Sequence, residues 1–207
     1  MTITPEKLFV TGIGTGIGKT ICSAVLTAYF KADYWKPVQS GDLKQTDSMM
    51  IKHLVEAPVV IHPERYSLEL AASPHKSAAK ENLTIHLEDF QLPETNNSLI
   101  VEGAGGLCVP LSDDVYIIDL IKKLGLPAVL VAKDYLGCIN HTLLSLDMLR
   151  KNKIPLTYFI FNGTFDPDTY RIIAKNLETS TKILQIPHLK TINKHNINKI
   201  VQQLTNI

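Results

Sequence analysis

Short runs of apolar residues alternate along the chain with longer segments in which apolar residues recur every three or four positions. The apolar runs predict strands at 7–11, 34–37, 99–102, 127–132, 156–161 and 183–186. The longer segments predict helices at 18–30, 46–55, 115–124, 139–151, 166–177 and 192–204. Strands that are apolar throughout and alternate with helices are typical of a parallel sheet covered on both faces. The pattern therefore predicts an α/β fold with a mostly parallel central sheet.

The stretch 58–95 has a less regular pattern, and we expect it to carry contacts to a substrate or a partner. The chain shows no repeat, no low-complexity tract and no linker between domains. Its 207 residues are enough for one domain with a sizeable core. We therefore predict a single domain over residues 1–207.

Composition and charge narrow the classes of partner and compartment. Hydrophobic residues make up 45% and charged residues 20%, as in ordinary globular proteins. A formal net charge of +1 provides no overall attraction to nucleic acid or to anionic lipid, so neither partner is expected. Residues 1–7 lack the apolar core of a signal peptide, and the run 126–132 is too short to span a membrane. Three scattered cysteines fit a reducing compartment, which predicts a cytoplasmic location.

A glycine-rich loop separates the first predicted strand from the first predicted helix. Phe9-Val10-Thr11-Gly12 is followed by five residues and then by Gly18-Lys19-Thr20 at the start of the helix. Glycines allow successive backbone N–H groups to face one anion, and the helix N-terminus adds partial positive charge. In a phosphate-binding loop the lysine reaches the β- and γ-phosphates and the threonine hydroxyl binds Mg²⁺, although the usual spacing has four residues between the glycines. The loop therefore predicts nucleotide binding; the alternative is a glycine-rich turn without a ligand.

Polar side chains follow other predicted strands, at the edge of the sheet where ligands bind. Glu102 ends an apolar strand, where phosphate-loop enzymes hold Mg²⁺; a strand-end acid that faces solvent is the alternative. The glycine-rich stretch 103–106 lets the backbone approach a phosphate. Lys36 ends a strand before a proline and could aim at a transferring phosphoryl group; a surface lysine is the alternative. Asp47 opens the next helix and is either a further oxygen of the Mg²⁺ site or only a helix N-terminal acid.

Two later segments offer further polar contacts. Asn162 ends a strand, and its amide could bind the paired donor and acceptor of adenine; a turn residue is the alternative. The segment 136–141 introduces a helix whose N–H groups could bind a carboxylate. Cys138 and His141 lie in this segment, but no third residue orients them, so we do not expect a thiol–imidazole pair.

Taken together, these segments resemble dethiobiotin synthetase, the ATP-dependent ligase of biotin synthesis. The resemblance rests on the glycine-rich loop with its five-residue spacing, on Lys36-Pro37-Val38 with Ser40-Gly41, and on Val101-Glu102-Gly103-Ala104-Gly105-Gly106. It extends to Ser73-Pro74-His75, to Leu136-Gly137-Cys138-Ile139-Asn140-His141 and to Asn162. These blocks span almost the whole chain in the order of the family, and the loop spacing and the Lys-Pro-Val block are its most specific parts.

The resemblance implies a P-loop NTPase-like fold, ATP and Mg²⁺ as cofactors, and a ring-forming reaction. The family substrate, 7,8-diaminononanoate, takes up CO₂ or bicarbonate as a carbamate on one amine. The carbamate oxygen attacks the γ-phosphate of ATP, and the second amine then closes the ureido ring and expels phosphate. The family also implies a homodimer whose active site lies at the subunit interface.

The resemblance also assigns a role to individual residues. Lys36 and Lys19 are the catalytic lysines, and Thr20, Asp47 and Glu102 surround Mg²⁺. Residues expected to contact ATP lie in the loop and at the strand ends: Thr15, Gly16, Ile17, Gly18, Lys19, Thr20, Ile21, Asp47, Glu102, Gly103, Ala104, Gly105, Asn162, Gly163, Pro187, His188 and Leu189. Residues expected at the substrate are Ser40 and Pro74 together with Gly137, Cys138 and Asn140, which the neighbouring subunit would supply.

Ile13, Gly14 and Gly16 depart from the family, whose loops commonly carry acidic or polar residues there. We expect these changes to keep the phosphate cradle and to alter the loop near the diamine. A nucleotide-switch ATPase of the partitioning type is the main rival, but it carries a second lysine at the position of Gly14. A cobyrinic-type amidotransferase would need a glutaminase domain, for which 207 residues leave no room. A pure nucleotide-binding module would not require Lys36 or Ser40.

Overall fold

Parallel strands form the centre of the protein, which the computed structural model describes over residues 6–56 and 58–204. The described strands are β1 (Lys7–Gly12), β2 (Asp33–Trp35), β3 (Val38–Ser40), β4 (Ile61–His62), β5 (Tyr66–Leu68), β6 (Leu99–Gly106), β7 (Ala128–Ala132), β8 (Leu156–Asn162) and β9 (Lys182–Ile186). Seven of them make one sheet in the order β4–β2–β6–β1–β7–β8–β9, and every neighbouring pair runs parallel. The other two, β3 and β5, form a separate parallel pair.

Helices cover both faces of the sheet. They are α1 (Lys19–Phe30), α2 (Asp47–Leu54), α3 (Pro74–Lys80), α4 (Ile117–Leu124), α5 (Cys138–Lys151), α6 (Pro167–Lys175) and α7 (Lys194–Leu204). One group consists of α1, α2 and α7, which pack on one another, while α5 packs on α6. All residues of β7 are buried, as are residues 99–103 of β6, because both faces of these strands lie under helices. The predicted α/β class with a mostly parallel sheet is confirmed.

The strand predicted at 34–37 is the main error in the predicted elements. The chain leaves the central sheet after Trp35 and resumes as β3, which pairs with β5 instead. Pro37 accounts for the break, because it has no N–H to donate to the ladder. Its carbonyl accepts hydrogen bonds from the backbone N–H groups of Arg65 and Tyr66, at 2.9 and 3.1 Å. The irregular stretch 58–95 contains β4, β5 and α3. Through these two hydrogen bonds it holds in place the segment 36–41 after β2, which we call the lysine loop.

A buried carboxylate fixes the start of β2 to the loop that precedes β6. Asp33 accepts hydrogen bonds from the Thr95 hydroxyl at 2.6 Å and the Asn97 amide at 3.1 Å, and it lies 3.4 Å from His62 Nε2. Burial alone would raise the pKa of Asp33, but these hydrogen bonds outweigh it and lower the pKa below its usual value. The ionised carboxylate is therefore the form that the fold stabilises.

Asp33→Asn should lower the free energy of unfolding at neutral pH by about 1–3 kcal/mol, because a buried charged acceptor is lost. A carboxyl whose pKa is lowered on folding stabilises the fold above its unfolded pKa of about 3.9. That contribution disappears as pH falls through the folded pKa, so the two proteins should converge in stability under acid. Urea unfolding from pH 7 to pH 3 measures the difference. Glu178→Gln is the control, because it removes an exposed ion pair with Arg150 and should cost less than about 0.5 kcal/mol.

Two expectations from the sequence are not tested by this structure. The polar start of the chain was predicted to lack a signal peptide, and its residues 1–5 lie outside the described residues. The single domain over residues 1–207 likewise stays a prediction. Among the described residues, no helix is long and apolar enough to cross a membrane.

Candidate active site

The glycine-rich loop lies at the carboxyl end of β1, beside the carboxyl end of β6. Together with the lysine loop and α3 it surrounds a cavity of about 780 Å³. Residues from six segments line this cavity, among them Thr15, Gly16, Gly18, Lys19, Thr20, Ile21, Lys36, Ser40, Asp47, Pro74, Glu102, Ala104 and Gly105. The structure thus brings together most of the residues predicted for ATP, Mg²⁺ and substrate.

Close packing explains two glycines of the loop. A Cβ on Gly12 would lie 2.2 Å from Cδ1 of Ile17, a buried side chain that packs over the start of the loop. Gly18 has a φ of +86°, and a Cβ there would lie 2.2 Å from Nδ2 of Asn162. That Asn162 nitrogen donates to the Ile17 carbonyl at 2.7 Å. The five residues between Gly12 and Gly18 therefore include Ile17, whose side chain points into the core and holds the loop in place.

Lys19 is buried beneath the loop that it follows. Its Nζ donates to the carbonyl of Gly14 at 3.0 Å, so the side chain folds back across the loop. Burial lowers the pKa of Lys19 to about 8; the attraction of Glu102 opposes this effect and the repulsion of Lys36 adds to it. A cation that has lost its water in this way interacts strongly with an anion that enters the loop.

Three oxygen-bearing side chains meet at the mouth of the loop. The hydroxyl oxygen of Thr20 lies 2.8 Å from Asp47 Oδ1 and 3.0 Å from Glu102 Oε1. A hydroxyl has one proton, so it can satisfy only one of the two carboxylates at a time. Asp47 is placed by the start of α2, where the Thr46 side chain caps the helix by accepting from the Met49 N–H at 3.2 Å.

Lys36 joins the same cluster and is almost completely buried. Its Nζ lies 2.6 Å from Asp47 Oδ2 and 3.1 Å from Glu102 Oε1, and it donates to the Gly103 carbonyl at 3.4 Å. Burial alone would lower the pKa of Lys36, but the charges of Glu102 and Asp47 outweigh it and raise the pKa. The pKa of Asp47 is lowered, because Lys36 outweighs the opposing effect of burial. The alternative of a surface lysine is therefore wrong.

The cluster has the chemistry of a Mg²⁺ site. Mg²⁺ prefers oxygen ligands, usually one or two carboxylates together with phosphate oxygens and water. Thr20, Asp47 and Glu102 provide two carboxylates and a hydroxyl, and Lys36 shows that the point between them stabilises positive charge. The residues present fit the metal, and their role as its ligands stays a prediction.

Two side chains that support this cluster were not predicted from the sequence. Gln39 donates to the Gly41 carbonyl at 2.9 Å, and its Oε1 lies 3.4 Å from the Asp47 N–H that donates to it. Tyr34 donates from its hydroxyl to Glu102 Oε2 at 3.0 Å. Tyr34 and Lys36 are two positions apart, so in an extended chain their side chains project to the same face. This spacing is the signal in the sequence that could have linked Tyr34 to the cluster. Ser40, which was predicted at the substrate, lines the cavity, and its buried Oγ has no hydrogen-bond partner among the described residues.

The residues predicted at adenine fall into two groups. Asn162 lies against the glycine-rich loop, where one amide N–H is already bonded to Ile17. Gly163, Pro187 and His188 line a separate cavity of about 570 Å³ at the β9 edge, and Leu189 is half-buried next to it in sequence. The structure does not bring these four into the large cavity, so their contact with adenine stays a prediction.

The helix start predicted to bind a substrate carboxylate lies outside the large cavity of its own chain. Gly137 has a φ of +104° and begins α5, followed by the buried Cys138 and the exposed Asn140. The Cys138 thiol donates to Asp134 Oδ1 at 3.5 Å, and His141 Nδ1 lies 2.7 Å from the Tyr135 hydroxyl. Cys138 and His141 thus have different partners.

Fold and site together define a P-loop nucleoside triphosphate-binding protein, with a phosphate loop on β1 and an acidic strand end on β6. A family model described as an AAA domain matches residues 6–196. The ATP-dependent dethiobiotin synthetase BioD of Cytophaga hutchinsonii is 46% identical over 181 residues, which are 86% of each chain. The chain belongs to the ATP-dependent dethiobiotin synthetase family.

Two solved structures share the fold at low sequence identity. A ParA family ATPase from Chlorobium tepidum has a TM-score of 0.52 at 10% identity, over 97% of this chain and 93% of that one. The signal recognition particle receptor FtsY from Elizabethkingia anophelis has a TM-score of 0.50 at 14% identity. The match covers 97% of this chain but spans only 65% of the FtsY chain. Both likenesses concern the fold alone.

Proposed function

We propose that the protein is an ATP- and Mg²⁺-dependent dethiobiotin synthetase that acts on 7,8-diaminononanoate and CO₂. The observation that carries the proposal is the cluster of Lys36, Asp47, Glu102 and Thr20 at the mouth of the phosphate loop. A module that only binds nucleotide does not need a second buried lysine beside the γ-phosphate position. Family membership and the ATP-dependent relatives support the same assignment.

The reaction joins two anions, so its main requirement is charge neutralisation and positioning. A carbamate oxygen attacks the γ-phosphorus, the bond to the bridging oxygen breaks, and ADP leaves. The second amine then attacks the carbamoyl carbon, loses a proton, and expels phosphate as the ureido ring closes. In this scheme Lys19 and the loop N–H groups hold the phosphates, and Lys36 stabilises charge on the transferring group. Bound Mg²⁺ would supply further positive charge between Thr20, Asp47 and Glu102.

We propose that Ser40 orients the carbamate. Its hydroxyl lies at the cavity wall on β3, and its buried oxygen has no partner among the described residues. A buried hydroxyl without a hydrogen-bond partner destabilises the free protein. A hydrogen bond from this hydroxyl to a bound substrate would remove that cost and so favour binding. Ser40 and Lys36 lie on one short stretch of chain, which couples substrate orientation to phosphoryl transfer.

The decisive assay incubates the purified protein with diaminononanoate, bicarbonate, Mg²⁺ and ATP. We expect phosphate release that depends on the diamine, together with a ureido product detected by mass spectrometry. Reactions without the diamine or without bicarbonate are the control, because they measure ATP hydrolysis that is not coupled to product formation. Phosphate release that ignores the diamine, with no ureido product, would contradict the proposal and favour a nucleotide-switch ATPase.

We also propose a cytoplasmic homodimer. The three cysteines are unpaired, which supports a reducing compartment. Leu136 and Leu144 are exposed, and Leu144 lines an apolar cavity of about 550 Å³ between the phosphate loop and α5. Exposed leucines around an apolar cavity are typical of a protein interface. A second copy on this surface would bring the start of its α5 toward the neighbouring phosphate loop.

Leu144→Glu should shift the protein from dimer to monomer, because a carboxylate would be buried at the interface. Light scattering after size-exclusion chromatography measures the mass, and we expect the KM for diaminononanoate to rise in parallel. Leu83→Glu is the control, since Leu83 is exposed on the loop after α3 and lies outside the proposed interface. A dimer that survives Leu144→Glu unchanged would count against this interface.

A further inference from the structure

Tyr34 lies fully buried in β2, directly behind the cluster that holds Lys36. Its position follows from the register of the sheet, because β2 and β6 pair in parallel with Tyr34 opposite Ile100. Side chains alternate between the two faces of a strand, so Tyr34, Ile100 and Glu102 project toward the same face. The hydroxyl of Tyr34 therefore reaches the next side chain along β6 on that face, which is Glu102.

The two oxygens of Glu102 have different partners. Oε1 accepts from Lys36 at 3.1 Å and lies 3.0 Å from the Thr20 hydroxyl, both of which line the cavity. Oε2 accepts from the Tyr34 hydroxyl at 3.0 Å. The carboxylate cannot rotate without breaking this buried bond, and hydrogen bonds to charged acceptors are about twice as strong as neutral ones. Tyr34 thus selects which oxygen Glu102 presents to the cavity.

Tyr34 holds Glu102 from the buried side of the cluster. A phenol hydroxyl has one proton to donate and no charge, so its bond to Oε2 fixes the carboxylate without adding a further cation beside it. The side of Glu102 that faces the cavity is left to Lys36 and Thr20.

We propose that Tyr34 is a positioning residue that orients the Glu102 carboxylate for Mg²⁺ and thereby sets the metal affinity of the nucleotide-bound protein. The inference rests on the proposed function and adds to it a residue that does not touch substrate, nucleotide or metal. Groups that hold a metal ligand from behind typically contribute 10–100-fold to metal affinity or activity.

Tyr34→Phe removes the hydroxyl and keeps the ring. Titration of the ADP-bound protein with Mn²⁺, followed by electron paramagnetic resonance, should show a Kd at least about tenfold weaker than in the unaltered chain. In steady-state assays the KM for Mg²⁺ should rise, while the KM for diaminononanoate changes less than about twofold. Tyr158→Phe is the matched control, because that buried strand hydroxyl accepts from Lys182 and lies far from the cluster in the sheet order.

A double-mutant cycle tests whether Tyr34 acts through Glu102. In a Glu102→Gln background, Tyr34→Phe should cause almost no further loss of Mn²⁺ affinity, because the orientation of a carboxylate no longer matters. Thermal unfolding checks that each variant is folded, and Tyr34→Leu, which also lacks the hydroxyl, replaces Tyr34→Phe if the latter is not recovered folded.

Each unfavourable outcome overturns a different statement. An unaltered protein that binds neither ADP nor Mn²⁺ overturns the proposed function itself. A protein that makes dethiobiotin normally, with unchanged Mn²⁺ affinity in Tyr34→Phe, overturns only the role of Tyr34. An equal loss of affinity in the Glu102→Gln background shows that Tyr34 supports the fold in general, and this result also overturns the inference.

Discussion

Lys36→Ala should reduce the kcat for dethiobiotin formation by about a hundred- to a thousandfold, the usual loss when one group that stabilises transition-state charge is removed. Lys36 is buried between Asp47 and Glu102, so no water-exposed lysine can take its place. Phosphate release at saturating ATP, bicarbonate and diamine measures the loss. Lys44→Ala is the control, because Lys44 is exposed on the loop between β3 and α2. Near-normal turnover in Lys36→Ala would refute its role.

The same substitution should also change stability in a way that reports on the cation site. Removing Lys36 leaves Asp47 and Glu102 close together without their shared cation, and breaking a buried pair in this way typically costs about 3–5 kcal/mol. Added Mg²⁺ can neutralise the two carboxylates, so it should raise the Tm of Lys36→Ala more than that of the unaltered protein. An equal response of the two proteins would argue against a metal site between these carboxylates.

Gly18→Ala should weaken ATP binding by about ten- to a hundredfold, the range that a local strain of about 1–3 kcal/mol corresponds to. The new Cβ would lie 2.2 Å from Asn162 Nδ2, and a φ of +86° is strained for any side chain. The Asn162 side chain must then move and lose its hydrogen bond to the Ile17 carbonyl, which removes a support of the loop, or the start of α1 must shift, which displaces the N–H groups that face the phosphates. Isothermal titration with ATP measures the affinity.

Gly125→Ala is the matched control for backbone strain at Gly18. Gly125 ends α4 with a φ of +65°, and no atom lies within 4 Å of its added Cβ. This variant should lose stability comparable to the strain at one left-handed residue, about 1–3 kcal/mol, and keep its ATP affinity. If Gly18→Ala behaves like Gly125→Ala, close packing against Asn162 is not what fixes the loop.

Local pattern was sufficient to predict the central strands, the phosphate loop and every described α-helix except α3, because each is encoded in a continuous segment. Helix α3 was not predicted, since it is only seven residues long and lies in the irregular stretch 58–95. Local pattern could not predict the departure of the chain from the sheet at Pro37, since β3 is only three residues long and pairs with an equally short strand. The local pattern also could not predict whether the Lys36 side chain is buried or lies at the surface. Its burial depends on two carboxylates, one of which is 66 residues away along the chain.

Contacts set by sheet register lay beyond sequence reasoning. The bond between Tyr34 and Glu102 requires β2 to lie beside β6, although β3, β4 and β5 intervene along the chain. The bond between Asn162 and Ile17 joins residues 145 positions apart. Neither partner has an unusual local context, so only the three-dimensional arrangement identifies these pairs.

The balance of charge in the Lys36 cluster has a consequence for how fast nucleotide is captured. Lys19 and Lys36 offset Asp47 and Glu102, and the whole chain carries a formal charge of only +1. The protein therefore generates little long-range field to steer a polyanion toward its loop. Encounter with ATP should proceed at an unsteered rate that changes little with ionic strength, and selectivity for phosphate should arise only after contact, from loop N–H groups at short range.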